Sequence, residues 1–268
     1  MIGAILCAFN PENRMTLTIT RDEFVRFAPN ARAVYVDALF ANLDVLKDAG
    51  ILDTNLRLAH FLGQCWSETG GFTILRESMA YSLPRLREIF PKYTRNLSDA
   101  YLRELVRDQV RIGDLVYGGR MGNRKGTSDG YDYRGGGAIQ TTGRSAVEEY
   151  ARELGMAPSH ELLDDPVATW QFAATEWRKT NCNRYADLND IEAVSRIINT
   201  GSATSGITPN GMGDRREGLR RALAIWGNAP HLAAVSDAQA HDLDSRTIRD
   251  ASAMQKVGQA TVTGTVVG

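Results

Sequence analysis

Apolar residues recur at helical spacing along most of the first 226 positions, and this pattern predicts a mainly α protein. An early apolar run spans about 24–39 and contains Pro29, so we expect it to divide into two helices. A second helix is predicted to start near Asp53 or Asn55, both good N-caps, and to end at Gly70–Gly71. The pattern also predicts an amphipathic helix pair over 83–111 and helices over Ser145–Leu154, Pro166–Thr180, Ile191–Asn199 and Gly213–Trp226.

Two other parts of the chain lack this helical pattern. Residues 117–143 are dense in glycine and tyrosine, which indicates loops and a short hairpin. Residues 228–268 contain no Phe, Trp or Tyr, so we expect a flexible tail or linker there. The predicted organisation is therefore an N-terminal arm over 1–15, one catalytic-type domain over 16–227 and the tail.

Composition narrows the class of protein. The 31 Lys and Arg residues balance 32 Asp and Glu, so the basic excess of a dedicated nucleic-acid binder is missing. No apolar run reaches the roughly 18–20 residues of a membrane span, and the N-terminus lacks the basic stretch of a signal peptide. Three cysteines without CxxC spacing and four scattered histidines predict neither a disulfide framework nor a metal site. We expect no cofactor.

Two glutamates, Glu68 and Glu77, carry the first candidate chemistry. On one continuous helix, nine positions would place them on opposite faces, but the Gly70–Gly71 pair lets the chain turn and bring them together. Two facing carboxylates suit cleavage of a glycosidic bond, because one protonates the leaving oxygen and the other activates water or attacks carbon. The alternative is that both are ordinary exposed surface residues.

The glycine-rich segment is a candidate cleft floor. It is not a dinucleotide fingerprint, because Gln140 stands where a third glycine is needed, and it lacks the Gly-Lys-Ser/Thr of a P-loop. Tyrosine rings stack on sugars and polar side chains bond their hydroxyls, so the candidate binding residues are Tyr131, Tyr133, Gln140 and Thr142. A tight turn with only a structural role is the alternative.

Three motifs in order resemble glycoside hydrolase family 19, over roughly residues 55–226. They are Ala59-His-Phe-Leu-Gly-Gln64 with Ser67-Glu-Thr-Gly-Gly-Phe72, then Tyr117-Gly-Gly-Arg-Met-Gly-Asn123 with Tyr133-Arg-Gly-Gly-Gly-Ala-Ile-Gln-Thr-Thr-Gly-Arg144, and finally Ile197-Ile-Asn-Thr-Gly201 with Gly213-Asp-Arg-Arg216. The short gap between the two glutamates resembles the bacterial and phage branch. Among its departures from the family pattern, the chain has Gly136 in place of a usual arginine.

The resemblance implies a lysozyme-like, two-lobed helical fold with a small loop or hairpin region at the cleft, and an inverting mechanism. Glu68 falls on the general acid, Glu77 on the general base, and Thr142 on a hydroxyl residue that helps hold the attacking water. The positions that line the cleft or orient its carboxylates are Tyr133, Gln140, Asn199 and Arg215. Arg215 is the expected charge partner that keeps the base carboxylate ionised.

The favoured interpretation is a phage-type endolysin that cuts β-1,4 bonds in peptidoglycan glycan strands. We expect a monomer that is made in the host cytoplasm without a signal peptide and acts on the cell wall in the periplasm after release, or as part of a virion. A chitinase acting on chitin oligomers is one alternative, and a non-catalytic virion or wall-binding protein with a degenerate cleft is another. A lytic transglycosylase needs one acid and no base, so the second glutamate argues against it.

Overall fold

The structure, a computed structural model, describes residues 17–227, and this part of the chain is mainly helical, as predicted. The predicted N-terminal arm (1–15) and tail (228–268) lie outside the described residues. The described helices are α1 (Arg21–Phe27), α2 (Ala33–Ala41), α3 (Leu43–Asp48), α4 (Asn55–Thr69), α5 (Leu83–Ile89), α6 (Pro91–Thr94), α7 (Asp99–Leu105), α8 (Gln109–Tyr117), α9 (Asp129–Asp132), α10 (Arg144–Glu153), α11 (Pro166–Lys179), α12 (Cys182–Asp187), α13 (Ile191–Thr200) and α14 (Met212–Trp226), with 3₁₀ turns at Ile51–Asp53 and His160–Leu163.

Most predicted helix boundaries are confirmed to within a residue or two, and the differences follow from capping. The run around Pro29 divides into α1 and α2. Helix α4 starts at Asn55, as predicted, but its N-cap is Thr54, whose side chain accepts from the backbone of Arg57, and neither Asp53 nor Asn55 fills that position. The predicted helix pair over 83–111 is four helices, α5 to α8, because Pro91 and the N-caps Ser98 and Asp108 each start a new one.

Helix α4 lies at the centre of the largest hydrophobic cluster and packs closely against α14. A Cβ on Gly63 would lie 2.7 Å from the backbone nitrogen of Leu219, so only glycine permits this approach. A second cluster forms around Leu86, Leu102 and Ile112, and a third around Val147 and Phe172. Because α4 and α14 are in close contact, polar side chains on their facing turns are brought within hydrogen-bond distance of each other.

The glycine-rich segment forms loops, the short helix α9 and two isolated β-bridges, which join Gly136 to Arg76 and to Thr141. The structure therefore has bridges where the sequence predicted a hairpin. Buried Asp129 receives bidentate contacts from Arg124 and Arg144, and these guanidiniums hold the pKa of its carboxyl far below the usual range. This ion cluster ties the segment to the start of α10. No helix within residues 17–227 is long and apolar enough to cross a membrane.

Candidate active site

Glu68 lies on the last turn of α4, where the helix ends at Gly70 in the left-handed conformation. Its side chain is buried and pairs with Arg215 of α14, whose Nη2 donates to Glu68 Oε1 at 2.7 Å. The other oxygen, Oε2, is buried and has no hydrogen-bond partner among the described residues. One oxygen of this carboxyl group is therefore held by a cation, and the other is left for a different contact.

Arg215 is fully buried and is itself held in place by several contacts. Nη1 donates to Gln64 Oε1, one turn before Glu68, and Nε donates to the backbone oxygen of Asn210 at 3.0 Å. The predicted site residue Asn199 is also buried, and its Oδ1 accepts from the backbone nitrogen of Asn210 at 3.4 Å. Asn199 thus supports the loop that holds Arg215. The prediction that Arg215 partners the base carboxylate, Glu77, was wrong, because the close contact between α4 and α14 directs it to Glu68.

Glu77 follows the turn at Gly70–Gly71 and is fixed from two sides. The hydroxyl of Tyr117, at the end of α8, lies 2.9 Å from Oε1 and 2.8 Å from Oε2. Gly135 donates its backbone N–H to Oε2 at 3.2 Å, and its carbonyl accepts from the backbone N–H of Glu77 at 2.8 Å. The carboxyl group therefore has a fixed orientation before any substrate arrives.

Burial raises the pKa of Glu77 to about 7, well above the ordinary value of 4.5. The hydrogen bonds from Tyr117 and Gly135 and the positive charges of Arg134 and Arg76 act in the opposite direction and keep the pKa from rising further. A carboxyl group that titrates near neutral pH is suited to accepting or donating a proton there.

Gln140 and Thr142 lie on the glycine-rich loop beside Glu77. Three polar atoms lie close to Gly135. A Cβ at that glycine would be 3.0 Å from Gln140 Oε1, 3.4 Å from Thr142 Oγ1 and 3.5 Å from Glu77 Oε2. Gln140 has a φ of 54°, an uncommon value for a residue other than glycine. This conformation places a strained backbone next to the candidate site.

Glu68, Glu77 and Gln140 line one cavity of about 640 Å³. That volume falls within the range of roughly 300–1,000 Å³ that is typical of ligand sites. The segment that joins the two glutamates also lines it, at Thr73, Ile74 and Leu75. The turn at Gly70–Gly71 therefore brings both carboxyl groups to a single space. No group of three metal-ligating side chains occurs within residues 17–227.

The two predicted sugar-stacking tyrosines are not among the residues that line this cavity. Tyr133 is only 5% exposed and belongs to the third hydrophobic cluster, with the Arg144 guanidinium 4.7 Å from its ring centre. Tyr131 is half-buried and carries the Arg134 guanidinium 3.8 Å from its ring centre. These contacts do not support stacking of a sugar on Tyr133, because neighbouring side chains already cover its ring.

Three of the residues around the carboxyl groups were missed as site residues. Gln64 precedes Glu68 by four positions and so shares its helix face, a spacing that could have identified it. Tyr117 opens the first glycine-rich motif, but nothing in its neighbourhood indicates that it contacts Glu77. Arg76 adjoins Glu77 in the chain and also lines the cavity, and its role has no local sequence signal.

Fold and site together define a mainly helical protein with two carboxyl groups, in different environments, at one cavity. The chain is 33% identical over 219 residues to a glycosyl hydrolase family 19 domain-containing protein of Haemophilus influenzae, an alignment that covers 80% of this chain and all of that protein. The chain therefore belongs to glycosyl hydrolase family 19, and the activity of this family is hydrolysis of glycosidic bonds.

Two solved structures also resemble the chain. They are a mutant of chitinase C, at 19% identity over 81% of this chain and 97% of that one, and chitinase C from Streptomyces griseus HUT6037, at 20% identity over 81% and 80%. Both give a TM-score of 0.47. No family model matches the chain.

Proposed function

We propose that this glycoside hydrolase is an endolysin-type enzyme that cuts β-1,4 bonds of peptidoglycan glycan strands with inversion. The catalytic part of this proposal depends on one observation: Glu68 and Glu77 line the same cavity. The guanidinium of Arg215 contacts Glu68, and the hydroxyl of Tyr117 contacts Glu77. Such a pair can supply the acid and the base that hydrolysis of a glycosidic bond requires.

Glu68 is the general acid in this proposal. The proton leaves Oε2, the oxygen that has no partner within the described residues, and passes to the glycosidic oxygen as the bond to the anomeric carbon breaks. Arg215 then stabilises the carboxylate that remains, through its contact with Oε1. Because this contact is present before the reaction, no charged group has to be repositioned when the negative charge develops.

Glu77 is the general base. It removes a proton from a water molecule that attacks the anomeric carbon from the opposite face, so one water is consumed and the product has the inverted configuration. Tyr117 and Gly135 fix the carboxylate, and Thr142 Oγ1 and Gln140 Oε1, which lie near the same Gly135, are the candidate partners of that water. The proton on Glu77 must reach solvent, and Glu68 must regain one, before the next turnover.

Peptidoglycan is the proposed substrate because the short spacing of nine positions between the glutamates resembles the bacterial and phage branch of the family. The proposed setting is synthesis in the cytoplasm followed by action on the cell wall after the membrane is breached. Expression of the enzyme inside bacteria, followed by permeabilisation of the inner membrane, should lyse the cells. Intact cells under the same expression should not lyse.

The test of the substrate is parallel digestion of purified peptidoglycan and of chitin oligomers, with the new ends identified by mass spectrometry. NMR soon after mixing reads the anomer formed first, and an α product from a β bond is expected. Cleavage of chitin alone would make the protein a chitinase. Binding without cleavage of either polymer would favour the non-catalytic wall-binding alternative. A first-formed β product would contradict inversion.

A further inference from the structure

Three arginines line the same cavity as the glutamates: Arg32, Arg76 and Arg134, here called the arginine wall. Arg76 is held at the Glu77 segment, and its Nη2 donates to the backbone oxygen of Asp132 at 2.6 Å. Arg134 donates to the backbone oxygens of Glu77 and Tyr131 at 2.8 and 2.7 Å. These contacts orient the guanidinium groups through neutral backbone oxygens, which do not cancel the positive charges.

Only one carboxylate within residues 17–227 pairs with the arginine wall. Asp164 Oδ1 lies 3.3 Å from Arg76 Nε, and its side chain is 57% exposed, whereas that of Arg76 is 11% exposed. Arg32 and Arg134 form no ion pair within that range. Glu68 faces the cavity too, but Arg215 already balances its charge. Glu77 adds one negative charge when it is ionised, and the charges of Arg134 and Arg76 act on it. The three arginines therefore face two carboxylates, Asp164 and Glu77, and the cavity keeps an excess of positive charge on the side of the arginine wall.

Gly136 leaves space for the Arg76 side chain because it has no Cβ. A Cβ on Gly136 would lie 2.9 Å from Arg76 Cδ and 3.0 Å from its Nη1, so a larger residue would displace this side chain. The burial of Arg76 and, to a smaller extent, the nearby charge of Arg134 disfavour the charged guanidinium and lower its pKa. Holding the like charges of the partly buried Arg76 and Arg134 near each other costs free energy, and a bound anion would offset that cost.

We infer that the arginine wall is a subsite for a carboxylate carried by the glycan strand. In peptidoglycan such a carboxylate belongs either to the lactyl ether of the sugar or to the attached peptide stem, whereas chitin has none. This inference rests on the proposed function and deepens it, because the subsite would select acidic strands over neutral ones. All three arginines contribute charge to this subsite, and Arg32 is the most exposed of them.

The test compares acidic and neutral forms of one glycan. Peptidoglycan strands freed of their peptides by an amidase carry a free lactyl carboxylate, and coupling to methylamine makes them neutral. We expect the kcat/KM of the wild-type enzyme to be about tenfold higher on the acidic form at low salt, since charged hydrogen bonds are the stronger ones. The preference should shrink as salt is added.

Variants of the arginine wall should reduce the ratio of the two rates, a quantity that cancels any general loss of activity. Arg76→Gln should bring it close to one, and the more exposed Arg32→Gln should lower it about two- to fivefold. Arg95→Gln is the matched control, because it removes the same charge from an exposed position outside the cavity. Thermal melting establishes whether each variant is folded. If Arg76→Gln does not fold, Arg32→Gln still tests the subsite.

Two further measurements separate the possible outcomes. Strands with intact peptide stems distinguish the sources, because a preference seen only with stems assigns the carboxylate to the peptide. If no strand is cleaved at all, the proposed function fails, and the subsite is then tested by titrating the acidic and methylamide forms of a stripped fragment into Glu68→Gln. The inference would be overturned by equal rates or equal binding on the acidic and neutral forms both with and without peptide stems, or by an unchanged ratio in a folded Arg32→Gln.

Discussion

Replacing Tyr117 by Phe removes one oxygen atom, and with it both hydrogen bonds to the Glu77 carboxyl group. The phenyl ring can remain in the second hydrophobic cluster, where Tyr117 is fully buried. The bonds stabilise the ionised form of Glu77, so their loss must raise its pKa above the present value of about 7. Gly135 and the nearby arginines still act on the carboxylate in this variant.

The size of the effect follows from the charged hydrogen bond that is lost. Such a bond contributes about 1.5–3 kcal/mol, and one pKa unit corresponds to about 1.36 kcal/mol. The pKa of Glu77 should therefore rise by about one to two units. If Glu77 is the base, it must be ionised to work, so the acidic limb of kcat/KM should move to higher pH by that amount.

The assay is a pH profile of kcat/KM on soluble glycan strands, with thermal melting at each pH to show that the variant is folded. Tyr150→Phe is a matched control, because it removes the hydroxyl of a buried tyrosine in the third cluster. An acidic limb that stays in place in folded Tyr117→Phe would refute the reasoning. Movement of the alkaline limb instead would make Glu77 the proton donor and exchange the two proposed roles.

Other consequences of the site can be tested together. Glu68→Gln should lower kcat by about 100- to 10,000-fold, with a smaller loss on substrates whose leaving group needs no proton, and an equal loss on both would contradict the acid role. Glu77→Gln should raise the free energy of unfolding at pH 8 by about 3 kcal/mol, since ionising this group in the fold is costly. That gain should grow between pH 4.5 and about 7 and vanish below pH 4.5, where folded and unfolded chains both bind the proton. Gly63→Ala should cost about 1–3 kcal/mol by pushing α4 from α14, whereas Gly213→Ala, with open space around it, should not. Burial lowers the pKa of His60 to about 4, so stability should fall as pH drops from 6.5 to about 4, a loss that His60→Gln should remove in denaturant titrations.

Local sequence was enough to predict most of the longer helices and the turn between the glutamates. Apolar spacing within 10–15 residues sets which helix face is buried, and the breaks at Pro29 and Gly70 depend only on local backbone geometry. Capping was less predictable, because Asp53, Thr54 and Asn55 are all suitable N-caps and the choice of Thr54 depends on how the preceding turn packs. The glycine-rich segment was correctly predicted to be irregular, but the course of its backbone was not predicted.

The partners of the two carboxyl groups were decided only by the tertiary structure. Arg215 meets Glu68 because Gly63 lets two helices that are far apart in the chain approach closely, and Tyr117 meets Glu77 because α8 packs beside the glycine-rich loop. A hydrogen bond is lost when its two atoms move apart by about 1 Å, a distance that local periodicity does not fix. The role of Tyr133 was also not predictable from local sequence. An aromatic ring in a loop can stack on a sugar or pack in the core, and the side chains that surround it decide which. Local pattern decides which helix face is buried, and the packing of distant segments decides which side chains meet there.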